Sequence, residues 1–255
     1  MEPHLSVSKD GPLGIVRFVN PAKLNALTHN MWEGLGDAVN EFGEDPAIRT
    51  VLLTGDGRRA FTTGADISQM VDFDPDEFDR VVVHAQTALD RILKPTIAAV
   101  HGYCVGGGFD IGLRCDIRFG DENSTFGAPD PKLGTAWGAG TQKLIEAVGP
   151  ARARDIILSC RLVEAEEALK IGLVGKIVPA DELDDFARSE ALRIASYAPL
   201  SMKAAKFTFA ELLKSGSDVD VQAIKRSVRD CVASEDFTEG QRAFLERRPP
   251  NFVGK

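Results

Sequence analysis

The chain has 255 residues, 44 % hydrophobic and 27 % charged, with a formal net charge of −8, a balance that suits a globular core and disfavours nucleic acid as the main partner. Its four cysteines, Cys104, Cys115, Cys160 and Cys231, are scattered without a CxxC pair, which argues against a disulfide framework or a zinc site. No apolar run approaches the ~18 residues that span a bilayer, and the first fifteen residues run into a strand-like segment, so the expectation is a cytoplasmic protein with no membrane partner.

In chain order, LGIVRFV (13–19), TVLLTG (50–55), PTIAAV (95–100) and DIRFG (116–120) read as strands bounded by glycine, Lys-Pro or charge. Between the first two, Thr28 to Phe42 carries Met31, Leu35, Ala38, Val39 and Phe42 at helical spacing. Asp74-Pro75 is a helix start, followed by an apolar stripe from Phe78 through Val82 and Leu89 to Leu93. Strands alternating with helices indicate an α/β domain. From Asp181 the strand signals stop. Segments 181–197, 199–214, 218–234 and 235–246 read as helices, and RRPPNFVGK closes the chain as an extended tail. The helical extension has apolar faces that suit either a neighbouring subunit or its own domain.

The α/β part contains an echo. VLLTG leads to FTTGAD, and TIAAV leads to HGYCVGGGFD; each time a strand runs into a glycine turn and a helix start. The 43 residues from Gly64 to Gly107 fit a structural repeat. Both turns present backbone N–H groups at a helix N-terminus, where donors are unpaired and the dipole favours negative charge. Facing one cavity, they would form an oxyanion hole.

Three readings compete for the glycine run. A dinucleotide fingerprint does not meet its usual register and lies far from the first strand. Gly102-Tyr103-Cys104-Val105-Gly106 fits a nucleophile elbow, but that arrangement needs a histidine after the nucleophile, and His4, His29, His84 and His101 all precede Cys104. Cys104 is then a small buried residue. The third reading is an anion site for an enolate-like transition state with Asp110 and Asp130 nearby. Singly, Asp110 reads as a helix-capping carboxylate and Asp130 as an ordinary proline-flanked turn. Together with two glycine turns they point to an enzyme.

At this point the chain resembles the crotonase family, the enoyl-CoA hydratase/isomerase superfamily. NPAKLNALTHNM, AFTTGADISQM, TIAAVHGYCVGGGFDIGLRCDIRF, FGAPDPKLG…GAGTQKL, EAEEALKIGLVGKIV and EGQRAFLERRPPNFVGK are similar to family segments in the family's order. The resemblance implies an α/β, crotonase-like spiral of ββα units over residues 1–195 and a C-terminal helical trimerisation region over 196–255. It also implies an acyl-CoA thioester as ligand, no cofactor beyond that CoA, no metal, and a homotrimer or a hexamer made as a dimer of trimers.

Roles follow by resemblance. The backbone N–H groups of Ala65 and Gly107 would hold the thioester oxygen. Hydratases of the family use two glutamates, in GGGxE and in PE; Asp110 and Asp130 stand at those positions, at the family's spacing of 20 residues. Asp130 would exchange the proton at the α-carbon, and Asp110 would orient or activate water attacking the β-carbon. Gly64, Ala65, Asp66 and Ile67, with Lys23 and Leu24, would take the CoA adenine, and Lys23 a phosphate. Arg247, Arg248 and Lys255 are candidates for the CoA phosphates of an adjacent subunit. Trp137 replaces a common proline and would either reshape the acyl pocket or pack under its loop.

The aspartates matter. Each withdraws its carboxyl by about 1.5 Å relative to glutamate, and misplacement by ~1 Å can cost ~100-fold in rate. Double-bond isomerisation, thioester hydrolysis and C–C cleavage therefore stand as alternatives to hydration, and a non-catalytic acyl-CoA-binding protein as a further one. Gly138 stands where dienoyl-CoA isomerases carry another acid, and single-base isomerases usually lack the acid found here at Asp110; neither is a close match.

Overall fold

The computed structural model describes residues 2–70, 74–138, 140–214 and 216–255. A hairpin of β1 (His4–Asp10) and β2 (Leu13–Val19) leads to α1 (His29–Glu44), whose first turn is capped by Thr28 accepting from the Met31 N–H. Three units of strand, short strand and helix follow. The first is β3 (Thr50–Gly55), β4 (Ala60–Thr62), α2 (Ile67–Met70) and α3 (Pro75–Arg91). The second is β5 (Thr96–Val100), β6 (Tyr103–Val105) and α4 (Gly107–Arg114). The third is β7 (Ile117–Asp121), β8 (Thr125–Gly127), a 3-10 turn at Asp130–Leu133 and α5 (Thr141–Val148). The echo in the sequence covers the first two units; the third continues it and carries Asp130.

Beyond the units come α6 (Pro150–Ser159), β9 (Val163–Glu164), α7 (Ala165–Lys170) and β10 (Lys176–Val178). The chain then turns helical, with α8 (Leu183–Ala195), α9 (Pro199–Leu212), α10 (Val221–Val232) and α11 (Glu235–Glu246). The first strand of each unit joins a larger sheet in the order β1-β2-β3-β5-β7-β10, parallel from β2 onward. The second strand of each joins a smaller sheet, β4-β6-β8-β9, with β4, β6 and β8 parallel.

β3 and β5 are buried along their whole length, as central parallel strands covered on both faces are. Their side chains alternate between two cores. Val51, Leu53, Ala98 and Val100 face α1, α3 and the smaller sheet, with Phe18, Trp32, Phe42, Phe61, Phe109 and Phe126. Leu52, Ile97 and Ala99 face α8, which presents Leu183, Ala187, Ala191 and Ile194 at helical spacing. The later helices are less covered: Phe209, Leu212, Leu213, Phe244 and Leu245 are 56–82 % exposed. The tail is tied to its own chain. Asp236 accepts from the N–H groups of Val253 (2.6 Å) and Gly254 (2.9 Å), and Arg49 donates to the Phe252 carbonyl at 2.6 Å. Among the described residues no helix is long and apolar enough to cross a membrane.

Candidate active site

Because β4, β6 and β8 lie side by side and parallel, their C-terminal ends share one edge of the smaller sheet. Gly64 and Ala65 follow the end of β4 at Thr62, Gly107 follows β6 at Val105, and Asp130 follows β8 at Gly127. Equivalent positions in three repeated units are thereby brought to one place. This edge opens on a cavity of about 590 Å³ whose lining includes Trp32, Ala65, Gly107, Asp110, Asp130 and Trp137. A volume of that order suits a small-molecule ligand.

The glycines answer to close backbone approach. Gly64 has φ +81°, and a Cβ there would lie 2.5 Å from the Gly107 nitrogen. A Cβ on Gly108 would lie 2.1 Å from the Thr62 carbonyl oxygen. Bare backbone is what lets the two turns touch. Their neighbours are satisfied: Gly64 N–H donates to Thr62 Oγ1 (3.1 Å), Asp66 N–H to the Leu27 carbonyl (2.9 Å) and Gly106 N–H to the Gly127 carbonyl (3.0 Å). The N–H groups of Ala65 and Gly107, by contrast, meet no acceptor among the described residues. Two adjacent free donors at a helix start can receive an oxyanion.

The two aspartates differ in surroundings. Asp110 lies inside the first half of α4, almost wholly buried, and it caps nothing. Gln86 Nε2 donates to its Oδ2 at 2.8 Å, and Arg114 Nε, one turn on, donates to both oxygens at 3.1 and 3.2 Å. Arg114 also pairs with Asp90, which Lys143 approaches to 3.4 Å. Asp110 is thus bound on both oxygens by a buried cation and an amide.

Asp130 opens the 3-10 turn between Pro129 and Pro131, and its backbone carbonyl accepts from Thr135 N–H at 3.4 Å. Its Oδ2 is buried with no hydrogen-bond partner among the described residues. Burial pushes its carboxyl above the usual aspartate range and the charge of Asp110 adds to this, against a lowering by its own backbone N–H. One acid is paired with a cation and the other is buried with an unpartnered oxygen, a difference of surroundings suited to acid–base work.

Trp137 is buried, stacks on Phe109 (centroids 5.4 Å apart, planes at 12°) and donates from Nε1 to the Gly106 carbonyl at 3.0 Å. Ala139, in the GAGTQKL stretch, lies outside the described residues. On the other side of the glycine turn, Lys23 Nζ donates to Asp66 Oδ2 (2.7 Å) and to Ser68 Oγ (2.6 Å). Burial would raise the Asp66 carboxyl, but Lys23 and Ser68 hold it below the usual range. Leu24 takes the left-handed conformation beside them, and Ile67 is half exposed at the cavity. Lys23 is engaged with a carboxylate, so a phosphate there would have to compete with Asp66. Arg248 is likewise engaged, with Glu239 and Glu246 of its own chain. Cys104 is fully buried with its thiol pushed far up by burial, which removes the nucleophile elbow on physical grounds.

The enoyl-CoA hydratase/isomerase family model matches residues 9–255. The chain belongs to the enoyl-CoA hydratase/isomerase family. Among its relatives, the crotonyl-CoA hydratase of Syntrophomonas wolfei is 32 % identical over 256 residues, covering 99 % of this chain and 98 % of that one. The mitochondrial enoyl-CoA hydratase of Pongo abelii is 35 % identical over 250 residues, covering 96 % and 84 %. The crystal structure of an enoyl-CoA hydratase from Bacillus anthracis superposes with a TM-score of 0.92 at 29 % identity, over 99 % of this chain and 100 % of that one.

Within this enoyl-CoA hydratase/isomerase chain, sequence reasoning passed over Gln86, Arg114 and Trp32. Arg114 left a signal, a cation four residues after an acid on one helix. Gln86 left only a polar residue one turn after Val82 on an otherwise apolar stripe. Trp32 lines the cavity, a Cβ on Gly107 would lie 2.9 Å from its ring, and its Nε1 has no partner among the described residues.

Proposed function

We propose that this protein is an enoyl-CoA hydratase in which Ala65 and Gly107 form the oxyanion hole and Asp110 and Asp130 the acid–base pair. The carrying observation is the pair of unpartnered N–H groups facing one cavity with two carboxylates in opposite environments. The thioester oxygen accepts from both N–H groups, which stabilise the negative charge that grows on it as water adds. Asp110, as the base, takes a proton from the water attacking the β-carbon; Asp130, as the acid, gives one to the α-carbon. One water is added across the double bond, and the acids reset by proton exchange with solvent. These steps use groups of the chain and the CoA of the substrate.

The test is hydration of crotonyl-CoA and of longer or branched enoyl-CoAs, followed by loss of enoyl-thioester absorbance and by product mass. The expected product carries the mass of one added water, and Asp110→Asn and Asp130→Asn each lose most of the rate. Full activity in both variants overturns the assignment. The hold of Gln86 and Arg114 on Asp110 favours one second reading, a double-bond isomerase in which Asp130 alone shuttles the proton. Its product has unchanged mass, and Asp110→Asn spares the rate.

In this reading the CoA adenine lies against Gly64–Ile67, Lys23 and Leu24, with Trp137 bordering the acyl side. The exposed apolar residues of α9–α11 support a homotrimer, or a hexamer of two trimers, assembled through residues 196–255 on a core of 1–195. Sedimentation would read the mass, and a monomer at micromolar concentration overturns that part. Four unpaired cysteines support a cytoplasmic location. Cell fractionation decides it against the mitochondrial placement carried in the names of two relatives.

A further inference from the structure

The peptide unit joining Gly106 to Gly107 has the free Gly107 N–H at one end and the Gly106 carbonyl at the other. That carbonyl accepts twice: from the Asp110 N–H at 3.2 Å, as α4 requires, and from the Trp137 indole Nε1 at 3.0 Å. The indole is held in place by its stack on Phe109 and by room left at Gly140, where a Cβ would lie 2.3 Å from a carbon of the ring. Trp137 lies outside α4, 31 residues from Gly106, so this bond is extra to anything the helix needs.

We propose that Trp137 is a positioning residue for the oxyanion hole, acting through the Gly106–Gly107 peptide. An amide is planar and its two ends are electronically joined, so a donor at the carbonyl fixes the direction of the N–H and strengthens it as a donor. The indole N–H thus aims and polarises the Gly107 N–H toward the thioester oxygen through that amide, a role separate from the ring's place beside the acyl side. The inference rests on the reading of Gly107 as an oxyanion donor.

The test compares the wild type with Trp137→Phe, and with a protein carrying 3-benzothienylalanine at position 137, which replaces the ring N–H by sulfur at nearly constant shape. Both keep the stack on Phe109, and thermal melting confirms folding. The readouts are kcat and KM on crotonyl-CoA, and the carbonyl stretch of a bound, carbonyl-labelled cinnamoyl-CoA. In the wild type the stretch moves to lower frequency on binding. In both altered proteins that displacement shrinks and kcat falls ~3–10-fold with KM within about two-fold, since a donor is weakened and not removed. Wild-type kcat and wild-type displacement in both proteins overturn the inference, as does a rise in KM at constant kcat, which would place Trp137 on the acyl chain. No displacement in the wild type itself instead overturns Gly107 as the donor, and the inference falls with it.

Discussion

Gly64 and Gly107 approach so closely that a Cβ on Gly64 would lie 2.5 Å from the Gly107 nitrogen. One residue cannot change without moving the other's N–H. Gly64→Ala adds that Cβ and also forces alanine to φ +81°. The expected outcome is a fall in kcat on crotonyl-CoA of at least ~100-fold, as for loss of an oxyanion donor. The strained backbone should cost about 1–3 kcal/mol in chemical denaturation. A variant with wild-type kcat would show that the two turns do not act together.

The Asp110–Arg114 pair is buried on both sides, with side chains 4 % and 6 % exposed. Arg114→Met leaves the Asp110 charge with Gln86 alone. Removing one partner of a buried pair typically costs 3–5 kcal/mol, so a loss of about that size is expected in urea unfolding. Arg114→Met combined with Asp110→Asn removes charge on both sides and should recover more than about 1 kcal/mol of it. Strict additivity of the two single variants would contradict the pairing.

Asp130 carries a raised carboxyl, so the folded chain holds that proton more tightly than the unfolded chain does. Stability is therefore lost as pH rises through the ordinary aspartate range, and the deficit persists above the folded value. Asp130→Asn removes it. The variant should melt above the wild type at neutral pH and level with it in acid, while losing hydratase activity. For the wild type, kcat/KM should decline as pH rises through the Asp130 pKa, which burial sets above the ordinary aspartate value. A variant that melts below the wild type at neutral pH would contradict the burial argument.

His101 lies outside the site and ties the end of β5 to α8. Its Nδ1 is 2.8 Å from Asp121 Oδ2, and Asp184 of α8 lies 3.5 Å from its Nε2. Burial alone would lower its pKa, but the two carboxylates lift it from 6.5 to about 9. A raised histidine contributes stability that is whole below pH 6.5 and is lost as pH rises through about 9. Thermal melts should show a decline across that window of at most about 3 kcal/mol, since each tenfold gain in proton affinity on folding is worth ~1.4 kcal/mol. His101→Gln should flatten it. An equal decline in the variant would place its cause elsewhere.

Much of the fold was legible where local physics is strong. β2, β3, β5 and β7 match the apolar runs read as strands, and α1 and α3 start after Thr28 and Asp74 as their caps require. The four C-terminal helices fall within the segments read as helical. The smaller sheet was not legible. Ala60–Thr62, Tyr103–Val105 and Thr125–Gly127 are three residues each, too short for any periodicity to register. β1 was missed in detail because an edge strand with a mostly exposed pattern carries no buried alternation.

By itself the sequence determined the glycine turns at Gly64 and Gly107, the two acids 20 residues apart and the family. Each of these depends on residues close in the chain, or on motifs in a fixed order. Only the tertiary structure decided what those residues do to one another. The parallel strands of the smaller sheet set three turns at one edge, and only that packing leaves two N–H groups free. Gln86 reaches Asp110 across 24 residues, and Trp137 reaches the Gly106 carbonyl across 31. Nothing local encodes such contacts, because they exist only once the spiral has closed. Two aspartates of the same type come to differ for that reason: folding gives one a cation and leaves the other an unpartnered oxygen.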